Sequence, residues 1–158
     1  MGVAERFYEA FMVRDHYTMG LLYAEHATFS DPVFPLLNAT GARLMWQMLL
    51  SRAEDLGVEA KIVEDGATRA RVDWVAYYTF SGTGRPVVNR IHTEMAISAG
   101  KIVRQVDSFS LWRWSRQALG VRGLLLGWTP MVKNKIRAQA ARSLRQFARE
   151  VAANQERR

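Results

Sequence analysis

Apolar residues recur at helical spacing from the start of the chain, at Ala4, Phe7, Tyr8, Phe11 and Met12. After a break at Asp15-His16 the same spacing resumes with Met19, Leu22 and Tyr23, so two short helices are predicted. An apolar strand, Ala27 to Asp31, stops at Pro32. Beyond a loop containing Pro35 and Asn38, the set Leu44, Met45, Met48 and Leu49 predicts a third helix over 41–56, closed by Gly57. The period then drops to two as far as Trp112, with turn signals at Asp65-Gly66, Ser81-Gly82-Thr83-Gly84 and Ala99-Gly100 dividing an antiparallel meander of four strands.

Alternation sorts the faces of that meander. Val72, Trp74, Ala76, Tyr78 and Phe80 share one side of its second strand, away from Arg71, Asp73 and Tyr77. On the next strand Val87, Asn89, Ile91, Thr93, Met95 and Ile97 are set against Arg90, His92 and Glu94. On the last, Val103, Gln105, Asp107, Phe109 and Leu111 are set against Ile102, Arg104 and Ser108. Three helices followed by a curved antiparallel sheet predict an α+β cone, a cup whose apolar faces turn toward the helices and whose mouth can hold a ligand.

The remainder reads as helix again. Trp112 to Gly120 is a short helix ended by glycine, and Gly123-Leu124-Leu125-Leu126-Gly127-Trp128 follows it. Thr129 as cap and Pro130 at the first helical position open a long helix to about Ala153. Its apolar stripe is Val132, Ile136, Ala140, Leu144, Phe147 and Val151.

Charge divides the chain where the pattern does. Residues 113–158 hold eleven Lys and Arg against Glu150 and Glu156 alone, within a chain of net charge +7, so residues 1–112 are mildly acidic. We therefore read 1–112 as the globular domain and 113–158 as a basic helical extension, packed on the same domain or on a partner. At 158 residues one domain with one cavity is expected. The absence of cysteine excludes disulfides, a thiolate nucleophile and thiolate metal sites. Met1 to Arg6 enter a helix without the basic start and apolar run of a secretory signal, so the expected location is cytoplasmic.

Asp31 is the first candidate for chemistry, since a carboxylate at the end of an apolar strand gains basicity if the cup buries it. Its plain alternative is a turn-forming Asp-Pro bonded to nearby backbone N–H groups. Asp107 is the second carboxylate on an inward face, and two carboxylates in one apolar site split into a base and an acid. Its own alternative is a tie to an arginine or to backbone. His16, His26 and His92 share no metal-ligand spacing, Ser110 and Ser115 have no neighbouring base, and Gly82-Thr83-Gly84 is a hairpin turn. Neither a metal nor another cofactor is expected.

The order of elements and the segment Tyr23-Ala24-Glu25-His26-Ala27-Thr28-Phe29-Ser30-Asp31-Pro32-Val33 resemble the nuclear transport factor 2-like superfamily over about residues 3–112. That group, of cystatin-like fold, includes ketosteroid isomerases, limonene epoxide hydrolases and SnoaL-like polyketide cyclases. The Asp-Pro-Val run is similar to the isomerase segment whose Asp is the proton-transfer base, which implies that role for Asp31. The isomerase's oxyanion-binding Tyr would fall at Phe7, with Tyr8 one helical step of about 100° away. Its protonated Asp donor would fall near Thr93. Loss of one such donor commonly costs about 10²–10³ in rate. The strand Gly100 to Phe109 resembles the epoxide hydrolase strand that ends in an Asp followed by an aromatic, which implies a site role for Asp107. That family's Arg-x-Asp falls on Trp74-Val75-Ala76 and its Tyr-x-Asn on Phe29-Ser30-Asp31, so its water-positioning set is missing.

The functional expectation is thus a small-molecule enzyme of SnoaL or ketosteroid isomerase type, with carboxylate acid/base chemistry (isomerase, cyclase, dehydratase or hydrolase) on an apolar substrate. Asp31 is its base and Asp107 its acid or orienting group. The helices supply Phe7, Tyr8, Phe11 and Trp46 to the ligand pocket, and the first strand supplies Phe29. The meander adds Trp74, Tyr78, Ile91 and Phe109, with Asn89, Thr93 and Gln105 as inward polar groups. The alternative is a non-catalytic cup for a hydrophobic ligand, or a dimer scaffold, docked by its basic tail. The resemblance implies a homodimer through the convex sheet face that carries His92 and Glu94; the alternative is that these two are surface residues without a role. For the tail, a solvated helix face, an anionic membrane surface touched by Leu124 to Leu126 and Trp128, and nucleic acid are the alternatives. The tail has no groove-reading module or stacking platform, which disfavours nucleic acid.

Overall fold

The computed structural model describes residues 1–158. Its elements are α1 (Val3–Met12), α2 (His16–Leu21), β1 (Tyr23–Ser30), β2 (Leu37–Asn38), α3 (Ala39–Arg52), β3 (Gly57–Asp65), β4 (Arg69–Phe80), β5 (Arg85–Ser98), β6 (Lys101–Ser108), α4 (Leu111–Leu119), α5 (Val121–Leu126) and α6 (Pro130–Glu156). The six strands form one open sheet in the order β2-β1-β6-β5-β4-β3. Its inner face wraps around α1 and α3, giving the expected α+β cone.

Side-chain caps set most helix starts. Asp15 accepts from Thr18 N–H, Asn38 from Gly41 N–H, Ser110 from Arg113 N–H and Thr129 from Val132 N–H. Before α1 stands Gly2, which has no side chain to offer. The Asp65 carboxylate at the end of β3 replaces it, accepting from the backbone of Ala4 (3.2 Å) and Glu5 (2.9 Å), and so fastens the helix to the sheet.

Two boundaries differ from the sequence reading, each for a long-range reason, and one short strand is added. The third helix ends at Arg52 rather than near Leu56, because Ala53 turns extended and Arg14 binds the carbonyls of Ala53, Glu54 and Leu56. The first strand begins at Tyr23, which pairs in parallel with Ile102 of β6. The two-residue strand β2 has too little pattern to be read from sequence. The last strand also carries a bulge: Ala96 pairs with Arg104 and Ile97 with Ile102, leaving Val103 as the extra residue. Alternation therefore breaks at Val103, and Ile102, placed outward by simple period two, is fully buried. Gln105 and Asp107 keep their inward places.

The core is aromatic. Phe7 meets Tyr8, Tyr23 and Trp46 edge-on, and Phe11 meets Trp46 and Trp74, with ring centroids 5.1–5.9 Å apart. Phe29 packs on Trp46 from the sheet side.

The C-terminal helices cover edges that this cone leaves open. β6 pairs with β5 only over His92–Ser98, so the first half of β5 extends past it. There α4 lies alongside, and the Gln117 side chain bonds the Val88 backbone on both sides, accepting from N–H at 2.8 Å and donating to C=O at 3.0 Å. A side-chain amide thus occupies the place of a strand partner. Helix α6 packs on α3 and on the 32–37 loop. Leu144 is buried there, the Arg52 guanidinium lies 5.6 Å from the Phe147 ring centroid, and Arg137 donates to the Pro32 carbonyl at 2.9 Å.

Candidate active site

Asp31 and Asp107 lie side by side. β1 and β6 run parallel as neighbours, with Phe29 opposite Gln105 and Ser30 opposite Val106. Asp31 is the next residue after Ser30 and Asp107 the next after Val106, so the two carboxylates leave adjacent strands at one level. Buried Phe29 and Gln105 show that this parity is the inner face. The register therefore makes the two residues neighbours on one wall of the cup.

Each carboxylate has one oxygen engaged. Asp31 Oδ1 accepts from Val33 N–H at 2.7 Å and Phe34 N–H at 2.6 Å, the turn geometry that Asp-Pro favours. Asp107 Oδ1 accepts from the Thr93 hydroxyl at 2.7 Å and from Gln105 Nε2 at 3.1 Å. The second oxygen of each has no protein partner. Since no side-chain polar atom sealed from solvent lacks a partner, Oδ2 of Asp107 keeps a small solvent contact although the residue is only 5% exposed.

Behind Asp107 stands a buried network whose direction is fixed by its tryptophans, which only donate. Trp74 Nε1 and the Tyr8 hydroxyl both donate to Thr93 Oγ1, at 2.9 and 3.0 Å, which obliges Thr93 to donate onward to Asp107. On the other side Trp46 Nε1 donates to the Tyr23 hydroxyl (2.9 Å), Tyr23 to Gln105 Oε1 (2.6 Å), and Gln105 to Asp107. Both branches converge on Oδ1, which is left as a pure acceptor. A proton on Asp107 must then sit on Oδ2, the oxygen without a protein partner.

Burial supports that proton. Desolvation raises the Asp107 pKa to about 7 against the lowering effect of its two donors, and the nearby Asp31 charge adds to the rise. Asp31 is raised to about 6, again by burial, opposed by the N–H groups of Phe34 and Val33. Burial also pushes the Tyr8 and Tyr23 hydroxyls well above the usual range, so both remain neutral donors.

The remaining sequence candidates fall into two groups. Phe7, Tyr8, Phe11, Phe29, Trp46, Trp74, Thr93 and Gln105 belong to the closed core or its polar network. Tyr78, Asn89 and Phe109 are partly exposed and lie with Asp31 at the end of the cup where β1 and β6 finish; Ile91, at the same end, is buried. Two residues were missed by the sequence reading. Tyr23, assigned there to a helix, is a link in the network, and Trp114 of α4 closes the rim by donating to the Tyr78 hydroxyl at 2.6 Å while meeting Phe80 edge-on. An alternating reading of 23–29 would have brought Tyr23 inward with Phe29, whereas nothing local marks Trp114. His92 is on the outer face, 2.6 Å from Asp73 and 3.8 Å from Glu94.

Two surface grooves lie elsewhere. One of about 550 Å³ crosses the outer face of β3, β4 and β5 between Glu59, Lys61, Asp73, Arg90 and His92. The other, about 280 Å³, runs between the 33–37 loop and α6 and is mostly apolar, with Arg137 and Arg145 beside it. Neither contains Asp31 or Asp107.

Comparison with known proteins agrees with this architecture. A model of the SnoaL-like domain family matches residues 4–105. A Catenulispora acidiphila protein with a ketosteroid isomerase-like fold, solved in complex with trimethylamine, is 18% identical, with TM-score 0.64 over 81% of this chain and 97% of that one. IdmH of Streptomyces antibioticus, described as a candidate polyketide cyclase, is 24% identical, with TM-score 0.61 over 75% and 96%. An epoxide hydrolase from M. tuberculosis is 18% identical, with TM-score 0.55 over 78% and 90%. No curated protein matches the chain significantly.

Proposed function

The chain belongs to the SnoaL-like domain family, and we propose that it is a small-molecule enzyme that transfers protons with Asp31 and Asp107 on an apolar substrate. The observation that carries this reading is the pair itself: neighbouring carboxylates, each with Oδ1 pinned and Oδ2 free. With its pKa near 6, Asp31 is ionised at neutral pH yet more basic than an ordinary carboxylate, so it takes a proton from an activated C–H. Asp107, near 7, is partly protonated at neutral pH, and its protonated form gives a hydrogen bond or that proton from Oδ2 to the substrate oxygen on which charge develops. Tyr78, Asn89 and Phe109 at the open end offer the substrate a largely apolar rim with one amide.

Such a base and donor suit an enolisation-based isomerisation or cyclisation. Structural neighbours of the same fold are described as candidate polyketide cyclases and a candidate isomerase. Phe7 and Thr93 do not supply the oxyanion donors of ketosteroid isomerases, and here the donor role falls to Asp107 alone.

Carboxyl ¹³C NMR titration of the whole chain tests the reading. Expected are two raised carboxyl pKa values, near 6 and near 7, and tight binding of 2-naphthol, an enolate mimic, that weakens as Asp107 ionises. If both groups titrate at about 4, as solvated carboxylates do, the acid/base function is overturned and a non-catalytic cup remains.

A further inference from the structure

The segment from α5 to the start of α6 displays its largest side chains to solvent. Val121, Leu124, Leu125, Leu126, Trp128 and Met131 are 45–71% exposed, a concentration of apolar surface that a monomer in water rarely shows. The cause is backbone packing. Helix α5 lies against α4 through Gly123 and Gly127; a methyl group at Gly123 would come within 1.9 Å of the Ser115 carbonyl oxygen, and one at Gly127 within 2.0 Å of the Ser115 hydroxyl. With glycine backbone in the contact, the leucines between have no inward side and all turn out.

Cations flank this patch along the chain without ion-pair partners, Arg116 resting on the Trp112 ring 4.9 Å from its centroid. From Ser108 to Arg149 the sequence has nine Lys and Arg and no Asp or Glu. Arg113, Arg116, Arg122 and Lys135 are exposed, and none of the five ion pairs in the structure uses a cation of the C-terminal helices. No helix is long and apolar enough to cross a membrane.

From this arrangement we infer that residues 113–135 form a docking surface for an anionic lipid bilayer. The leucines and Trp128 enter the headgroup boundary, and the rim of Arg113, Arg116, Arg122 and Lys135 pairs with acidic lipid heads. Bilayer rather than protein is favoured by the chemistry: a bulge of Leu, Trp and Met with no groove of its own fits a fluid apolar layer, and an unbroken positive field needs a negative surface to meet it. The inference is independent of the reaction assigned to Asp31 and Asp107.

Co-sedimentation of the full chain with vesicles tests it. Binding to vesicles of phosphatidylcholine with 30% phosphatidylglycerol is expected, with little binding to phosphatidylcholine alone and release in 0.5 M NaCl. Replacing Arg122 and Lys135 by Glu should weaken binding by at least about 25-fold, about fivefold for each cation lost. The pair Leu125→Ser and Trp128→Ser should weaken it at least about tenfold. All four side chains are exposed, so unchanged circular dichroism is expected and shows that the fold is kept. No sedimentation with acidic vesicles, equal binding to both vesicle types, or a concentration-dependent dimer that Leu125→Ser with Trp128→Ser dissociates would each overturn the proposal, the last by assigning the patch to a second copy of the chain.

Discussion

Thr93 and Asp107 are direct partners across β5 and β6, and the hydroxyl stands 2.7 Å from the carboxylate. Because Thr93 also accepts from Tyr8 and Trp74, it has a single proton to give and only one place to give it. Thr93→Val keeps the shape but strands two buried donors and removes a donor from Asp107. We expect a loss of about 2–4 kcal/mol in urea unfolding, the sum of two unsatisfied groups, and a further rise in the Asp107 pKa read by carboxyl NMR. Tyr8→Phe, which leaves Trp74 on Thr93, should cost only about 1 kcal/mol.

The two raised pKa values give stability a definite slope. Asp31 and Asp107 bind protons more tightly when folded, near 6 and 7, than an unfolded aspartate does at about 4. Below pH 4 both states are protonated and the contribution is level; as pH rises from about 4 through about 7 the unfolded chain releases protons first, and folding loses ground. Urea midpoints should therefore fall between pH 5 and pH 8, by a contribution from Asp107 on the order of 2–4 kcal/mol. Asp107→Asn, which cannot ionise, should flatten most of that slope.

Asp31→Asn separates charge from structure. The amide oxygen can still accept from Val33 and Phe34, so the turn survives, but the base is gone. Turnover of a substrate, once found, should drop by about 10²–10⁴. In the same variant the Asp107 pKa should move down, since the Asp31 charge that helps raise it is absent. An unmoved Asp107 titration would show that the two groups do not sense each other.

Gln117 tests how the extension is held. Its replacement by Ala removes both bonds to Val88 and uncovers the edge of β5. Amide exchange at Val88 should speed up at least about tenfold while the amides of His92 to Ser98, paired with β6, stay protected.

Much of this was legible in the sequence because it is local. Glycine turns and period two marked the meander, proline after Asp31 marked the end of β1, and Thr129-Pro130 marked the start of α6. The inward face of Asp107 could be read because the bulge precedes it and leaves its parity relative to Gln105 intact. What could not be read depends on contacts between distant segments. The parallel pairing of Tyr23 with Ile102 drew a residue of helical spacing into a strand. The extra residue at Val103 has no compositional mark, and the adjacency of Asp31 to Asp107 follows from strand order, which no single segment encodes.

That adjacency also ties proton uptake to the order of folding. β1 is formed early in the chain and β6 only after the whole meander, so the wall that desolvates both carboxylates exists only once the last strand has inserted between β1 and β5. At pH 6 that insertion must draw protons from solvent. A pH-indicator dye in stopped-flow refolding would then time the closing of the sheet from the inside, with no label on the protein.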